Sequence, residues 1–295
     1  MARLKVSLEI GLKRLEIFTR GLVNTDFLGN YKSVFKGKGL EFLEYRNYSP
    51  SSDAKLIDWK ASIRSNQLLV KEFIEERNLD VFFLVDASES MAFASISKLK
   101  CEYAAEFASC LTYAILKTGD KVGYALFNDK IIKDAPPKGG VKQFYKFSEI
   151  LANPRNYGGR KNLRQAINFL SEVVKERSLV FVVSDFIGAS DDLKKSLELA
   201  TAKLDIIGVM VRDPIDKKMP AEKGQIALID VESDQRLIVE PRKIRQDYAR
   251  ETRREEKEIE AIFIDNKCSF LNLCTNESFV EPLVDLFVMR AKKWR

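Results

Sequence analysis

What most constrains this chain is a rhythm that sets in at residue 78. Short apolar runs, each bounded by charge, alternate with stretches of helical periodicity. LDVFFLVD (79–86) is apolar at consecutive positions, as a strand buried on both faces of a parallel sheet must be. A helix is predicted over 98–117, with Leu99, Tyr103, Phe107, Leu111, Ala114 and Ile115 along one side. A strand over 120–129, a short edge strand over 131–134, and helices over 141–151 and 162–176 follow. Next come the apolar strand LVFVVSDF (179–186), a helix over 191–202 and the strand LDIIGVMV (204–211). Strand and helix alternating at this spacing imply right-handed β-α-β crossovers and a doubly wound, mostly parallel, Rossmann-like α/β sheet. Residues 225–240 break the rhythm with two alternating runs around Ser233-Asp234-Gln235, a hairpin signal. A charged helix (241–265), a strand (268–273) and a helix (279–293) close the pattern.

The segment before residue 78 reads differently. Leu4, Leu8, Leu12, Leu15, Phe18 and Leu22 give an amphipathic helix over 4–23. Residues 31–64 mix glycine, aromatic and charged residues: a strand or hairpin near 41–48, a turn at 49–53 and a helical turn carrying Trp59. Residues 67–76 read as a further strand. Two units are therefore expected, an N-terminal extension over 1–77 packed on a main domain over 78–295, with the 225–240 hairpin as an insertion. Residues 1–64 hold twelve Lys/Arg against seven Asp/Glu, most of the chain's formal net charge of +6. A basic segment suits nucleic acid or an acidic partner; a solvated surface of mixed charge is the alternative, since single-sign blocks are absent. Tyr45, Tyr48 and Trp59 among Arg46, Lys55, Lys60 and Arg64 sharpen the nucleic-acid reading through stacking and phosphate contacts. Against it, the aromatics are expected to dock the extension on the main domain, with Arg64 and Asp58 in internal pairs.

Exclusions narrow the chemistry. The chain contains no histidine, which removes Ser-His-Asp and Cys-His catalysis and imidazole-type zinc sites. Cys101, Cys110, Cys268 and Cys274 lack C-x-x-C spacing and read as small buried residues. No apolar run approaches the ~20 residues that span a bilayer, so a cytoplasmic location without membrane insertion is expected. Any metal must be a hard, oxygen-bound cation.

In open parallel sheets, ligands sit beyond the carboxyl ends of the strands. Two strands here end in aspartate, Asp86 after VFFLV and Asp185 after VFVVS. Beyond the first, Asp86-Ala-Ser88-Glu-Ser90 aims an aspartate and two hydroxyls from one loop toward one point, a donor set suited to Mg²⁺. The alternative is that Ser and Asp merely cap the helix that follows.

Asp-x-Ser-x-Ser after the first strand resembles the metal-ion-dependent adhesion site of von Willebrand factor type A domains. Glu41-Phe42, Arg46, Tyr48, Asp53, Ile57-Asp58-Trp59, Arg64, Val70, Phe73 and Glu76 resemble the signature of domain-of-unknown-function family 58, as do Ser184-Asp185-Phe186 and Thr275, Phe287 and Arg290. The resemblance runs over about 30–290. It implies a type A-like fold, no known catalytic activity, and a role as adaptor or assembly factor in bacteria or archaea. The implied partner is a MoxR-type AAA+ ATPase, and the implied task is assembly or maturation of a client.

The departures bear on the site. Ser51-Ser52-Asp53 stands where Gly-Asp-Asp is usual, and Lys55 where arginine is usual. In type A domains a threonine within Gly-Gly-x-Thr completes the metal site; here the loop reads Gly158-Gly159-Arg160-Lys161-Asn162, with Lys161 at the threonine position and Asn162 as a substitute oxygen donor. If Lys161 points outward, Asp86, Ser88, Ser90 and Asp185 can hold Mg²⁺. If it points inward, its ammonium neutralises both aspartates and the metal site is weak or absent. The expected partner-binding face is Asp86, Ser88, Ser90, Lys161 and Asp185, receiving an acidic partner side chain through Mg²⁺ or through Lys161 itself. An enzymatic alternative is a haloacid-dehalogenase-type phosphatase, with Asp86 as nucleophile, Lys161 stabilising charge and Asp185 holding Mg²⁺. Ser88 stands where such an enzyme needs its second acid.

Overall fold

The structure is a computed structural model that describes residues 41–49, 57–74, 79–175, 178–221, 224–229 and 236–293. The helix expected over 4–23, residues 50–53 of the expected turn, and the hairpin tip at 233–235 lie outside the described residues.

The apolar runs form the sheet. Strands β3 (Asp80–Asp86), β4 (Lys121–Phe127), β5 (Ile131–Lys138), β6 (Leu179–Ser184), β7 (Asp205–Arg212) and β10 (Ser269–Cys274) hydrogen-bond in the order β10-β7-β6-β3-β4-β5. All neighbours are parallel except the β4–β5 pair. Strand β5 is longer than its expected span of 131–134 and carries Pro136 and Pro137, which the sheet tolerates because they sit on an edge. Along β3 the side chains alternate between two separate cores. Val81, Phe83 and Val85 join helices α2 (Lys100–Lys117), α3 (Val141–Ala152) and α8 (Val280–Lys293) on one face. Phe82 and Leu84 join α4 (Leu163–Val173), α5 (Ser190–Ala200) and α7 (Pro241–Asp265) on the other. Full burial of such side chains contributes about 1.5–3 kcal/mol each. Phe83 stacks on Phe181 of the adjacent strand at 5.1 Å between centroids. On the second face, Gly208 of β7 lets α7 approach: a Cβ there would lie 2.5 Å from the Phe263 ring.

One smaller sheet precedes this frame in sequence and another is inserted between β7 and β10. Strands β1 (Glu41–Asn47) and β2 (Leu69–Ile74) pair antiparallel around helix α1 (Trp59–Ser65). Strands β8 (Ile226–Ile229) and β9 (Arg236–Val239) form a hairpin ahead of α7. One short helix lies outside the expected pattern, α6 (Pro214–Lys217), which starts directly after β7. Of the three aromatics expected to dock the first unit, Tyr48 is half-buried and the other two are exposed. Trp59 is 63% exposed and Tyr45 44%, while Asp58 is occupied in capping α1, accepting the Lys60 and Ala61 N–H groups, and in accepting the Tyr45 hydroxyl at 3.0 Å.

Candidate functional site

Because β3 and β6 are adjacent and parallel, with Val85 opposite Val183, the residues after them emerge side by side. Asp86 and Asp185 are both fully buried at this edge. Two like charges brought together out of water repel and are poorly solvated, so their partners decide what the site is.

Three loops are tied together around them. Gly158 N–H donates to the Ala87 carbonyl and Glu89 N–H to the Gly159 carbonyl, both at 2.9 Å. Asn128, after β4, donates its side-chain amide to the Gly158 carbonyl at 2.7 Å and accepts the Asn162 N–H on its own carbonyl at 2.8 Å. Gly158 and Gly159 adopt φ of 139° and 79°, which side-chain-bearing residues rarely do, and a Cβ on Gly159 would sit 3.1 Å from the Asn128 amide nitrogen. That turn carries Lys161 inward. Its Nζ lies 2.6 Å from Asp185 Oδ1 and 4.0 Å from Asp86 Oδ2.

A second ammonium arrives from the opposite side. Lys100, the first residue of α2, is 1% exposed and places Nζ 2.9 Å from Asp185 Oδ2 and 3.0 Å from Asp216 Oδ2. Asp216, in α6, also accepts the Asp213 N–H. Asp213, after β7, is buried and accepts the Ser95 and Ile215 N–H groups and the Ser95 hydroxyl. Lys100, Asp213 and Asp216 were not among the expected site residues. A signal for Lys100 was available: a cation in the first turn of a helix opposes the helix dipole by about 0.3–1 kcal/mol, so a lysine there calls for an acidic partner. Asp213 had one too, since it follows an apolar strand just as Asp86 does.

Asp86 Oδ1 accepts the Ser88 N–H at 2.8 Å and Oδ2 accepts the Ser184 hydroxyl at 2.6 Å. The Ser88 and Ser90 hydroxyls bond each other at 3.1 Å. Ser88 precedes a 3-10 turn, Glu89–Ala92, without capping it through its side chain. Asn162 is not turned toward the aspartates: its Oδ1 caps α4, accepting the Gln165 N–H at 3.0 Å. Asp86, Ser88 and Asp185 are buried, and the Lys161 side chain is 7% exposed. In this arrangement they support the surface from beneath; Ser90 is half-buried.

Burial raises the Asp86 carboxyl above its ordinary pKa; Lys161 opposes the shift and Asp185 reinforces it. Burial pushes Asp185 the same way, but the ammonium groups of Lys161 and Lys100 outweigh it and hold that carboxyl well below the usual range. Burial works against the charged form of both lysines, yet the aspartates around them raise each above 10.5.

The donor set can be tested against the divalent cation that the type A resemblance implies. Magnesium takes six oxygens at about 2.1 Å. Here all four oxygens of Asp86 and Asp185 already accept hydrogen bonds, and the Lys161 ammonium holds the ground between the carboxylates. A divalent ion about 4 Å from that ammonium would be repelled by several kcal/mol at intermediate dielectric. Among the described residues, no group of three or more Cys, Asp or Glu is arranged to hold a metal ion. The residues as arranged do not fit magnesium. They also give Asp86 no open path as a nucleophile, since it is buried and hydrogen-bonded on both oxygens.

Comparison with known proteins agrees on the family and leaves the function open. The family model described as "Protein of unknown function DUF58" matches residues 44–258. An uncharacterized protein of Mycobacterium tuberculosis, Rv1480, is 24% identical over 289 residues, covering 97% of this chain and 90% of the relative. Among solved structures, the conserved hypothetical protein BatB from Bacteroides thetaiotaomicron overlays with a TM-score of 0.47 at 14% identity, covering 72% of this chain and 99% of that one. A von Willebrand factor type A protein from Catenulispora acidiphila overlays at 0.43 and 10% identity, covering 76% and 44%.

Proposed function

The chain belongs to the DUF58 family, and from that premise we propose that it is a non-enzymatic protein-interaction module, an adaptor working with a MoxR-type AAA+ ATPase in assembly or maturation of a client. The observation that carries this reading is the surface above the ion cluster. Phe93, Ile96 and Ile187 are 40%, 38% and 39% exposed at the carboxyl edge of the sheet, an apolar rim of the kind that anchors partners. The rim is tied to the ion cluster beneath it. The Phe93 ring lies 5.8 Å from Lys100 Nζ, and the Ile187 N–H donates to Asp185 Oδ1 at 3.2 Å, so the two flank the same buried carboxylate. A partner on this face would meet Phe93, Ile187, Ser90 and Glu89; Asp86, Lys161 and Asp185 would hold those residues in place. The phosphatase alternative needs an accessible Asp86 and has less support.

Binding of the purified chain to a MoxR-type ATPase, measured by titration calorimetry, tests the proposal. Phe93→Asp and Ile187→Asp should each weaken binding by at least about tenfold. Unchanged affinity in both variants would remove the rim as the binding face; no binding by wild type would remove the ATPase as partner.

A second reading has one observation in its favour. Trp59 and Tyr45 stand exposed in a unit that also carries Arg46, Lys60 and Arg64, which suits single-stranded nucleic acid. A salt-dependent gel shift lost in Trp59→Ala would support it; no shift at low salt would end it.

A further inference from the structure

We infer that in this chain two internal ammonium groups, those of Lys161 and Lys100, do the work a divalent cation does in type A domains, so that the loop cluster assembles without metal and is closed to it. Two adjacent parallel strands deliver two carboxylates to one edge, and the fold needs positive charge there. A divalent ion supplies two charges from solution. Lys161 and Lys100 supply two charges on covalent stems, each from a different element and each with its side chain almost wholly buried. Together they occupy both oxygens of Asp185, at 2.6 and 2.9 Å. Asp216 shares Lys100, and the Ser184 hydroxyl with the Ser88 N–H satisfies Asp86.

The backbone is shaped for this arrangement. The left-handed Gly158-Gly159 turn and the Asn128 cross-ties deliver residue 161 to the carboxylates, while α2 begins where Lys100 can reach Asp185. A dissociable cation makes such a cluster respond to metal concentration by mass action. A tethered ammonium does not, so the rim bearing Phe93 and Ile187 should be assembled at every metal concentration. The inference concerns the same loops as the interaction reading but does not depend on it.

Thermal unfolding of the full chain, after exhaustive dialysis against chelator and again with millimolar Mg²⁺ or Mn²⁺, is the test, with bound metal quantified by plasma mass spectrometry. The wild-type midpoint should agree within about 1 °C across all conditions, with no stoichiometric metal. A saturable rise with either ion, or one ion retained per chain, would overturn the inference. Lys161→Thr vacates the space and adds a hydroxyl; its midpoint should drop in chelator and recover by several degrees in Mn²⁺. Lys161→Met removes the charge but keeps the bulk; it should drop without recovering. A Lys161→Thr protein as stable as wild type and indifferent to metal would also overturn it. The wild-type measurement decides whether or not the variants fold. Absence of ATPase binding by a metal-indifferent wild type would remove the ATPase as partner and leave this inference standing.

Discussion

Two sets of cation–carboxylate pairs sit in opposite surroundings. Along α7, Lys243–Glu240, Arg250–Asp247 and Arg254–Glu251 pair at i,i+3 with side chains that remain 44–78% exposed. At the carboxyl edge of the sheet, Lys100, Lys161, Asp185 and Asp216 pair with side chains 0–11% exposed. Water competes for the first set, and their loss exposes nothing that was hidden. In the second set the groups compensate one another for leaving water: Asp185 has Lys100 and Lys161, and Lys100 has Asp185 and Asp216. Charge pairing is therefore decoration in one place and architecture in the other.

Substitution separates the two sets. The largest effect should come from Lys100→Met or Lys161→Met, each of which strips a buried aspartate of a counter-charge. Urea denaturation should show a loss of about 3–5 kcal/mol, and a loss below about 1 kcal/mol would put this cluster in the same class as the α7 pairs. Next in size is the coupling between partners. Asp185→Asn combined with Lys161→Met should cost less than the sum of the two changes by about 1–3 kcal/mol, since the second removes a charge whose nearest partner the first has already removed.

A pH titration of stability separates the two sets without mutation. The folded-state pKa values of Lys100 and Lys161 lie above the ordinary 10.5. Their contribution is thus fully present below pH 10.5 and lost as pH rises through the higher folded values. Asp185, held low, contributes above its ordinary 3.8 and loses that contribution as pH falls. The alkaline loss should shrink in Lys161→Met, and an unchanged alkaline limb would refute the assignment. The smallest effect should be at the helix surface. Arg250→Ala and Arg254→Ala should each change stability by less than about 0.5 kcal/mol, and added salt should erase even that.

Much of the frame is readable from the residues alone, and the reason is periodicity. VFFLV and VFVVS are apolar at every position because both faces of a central parallel strand are covered, so strand, helix and crossover follow from one-dimensional pattern. The aspartates that end those runs were equally plain. Lys161 could be singled out by its place after Gly158-Gly159, although its direction depended on a turn whose glycine φ values are set by cross-ties to Asn128. Lys100 escaped notice because a lysine beginning an amphipathic helix reads as solvated, and only the docking of α2 buries it. Trp59 misled in the other direction: an aromatic in a specific motif reads as an anchor, yet it stands mostly in solvent.

By itself, the order of residues determined the doubly wound sheet, the two acidic strand ends and the absence of imidazole chemistry, all of which depend on local composition and spacing. Whether those acidic ends face a metal or a pair of lysines was decided by tertiary structure alone. That choice depends on distances of a few ångströms between groups 24 to 116 positions apart in the chain, and Coulomb energy in a dry interior follows distance in space, not position along the backbone.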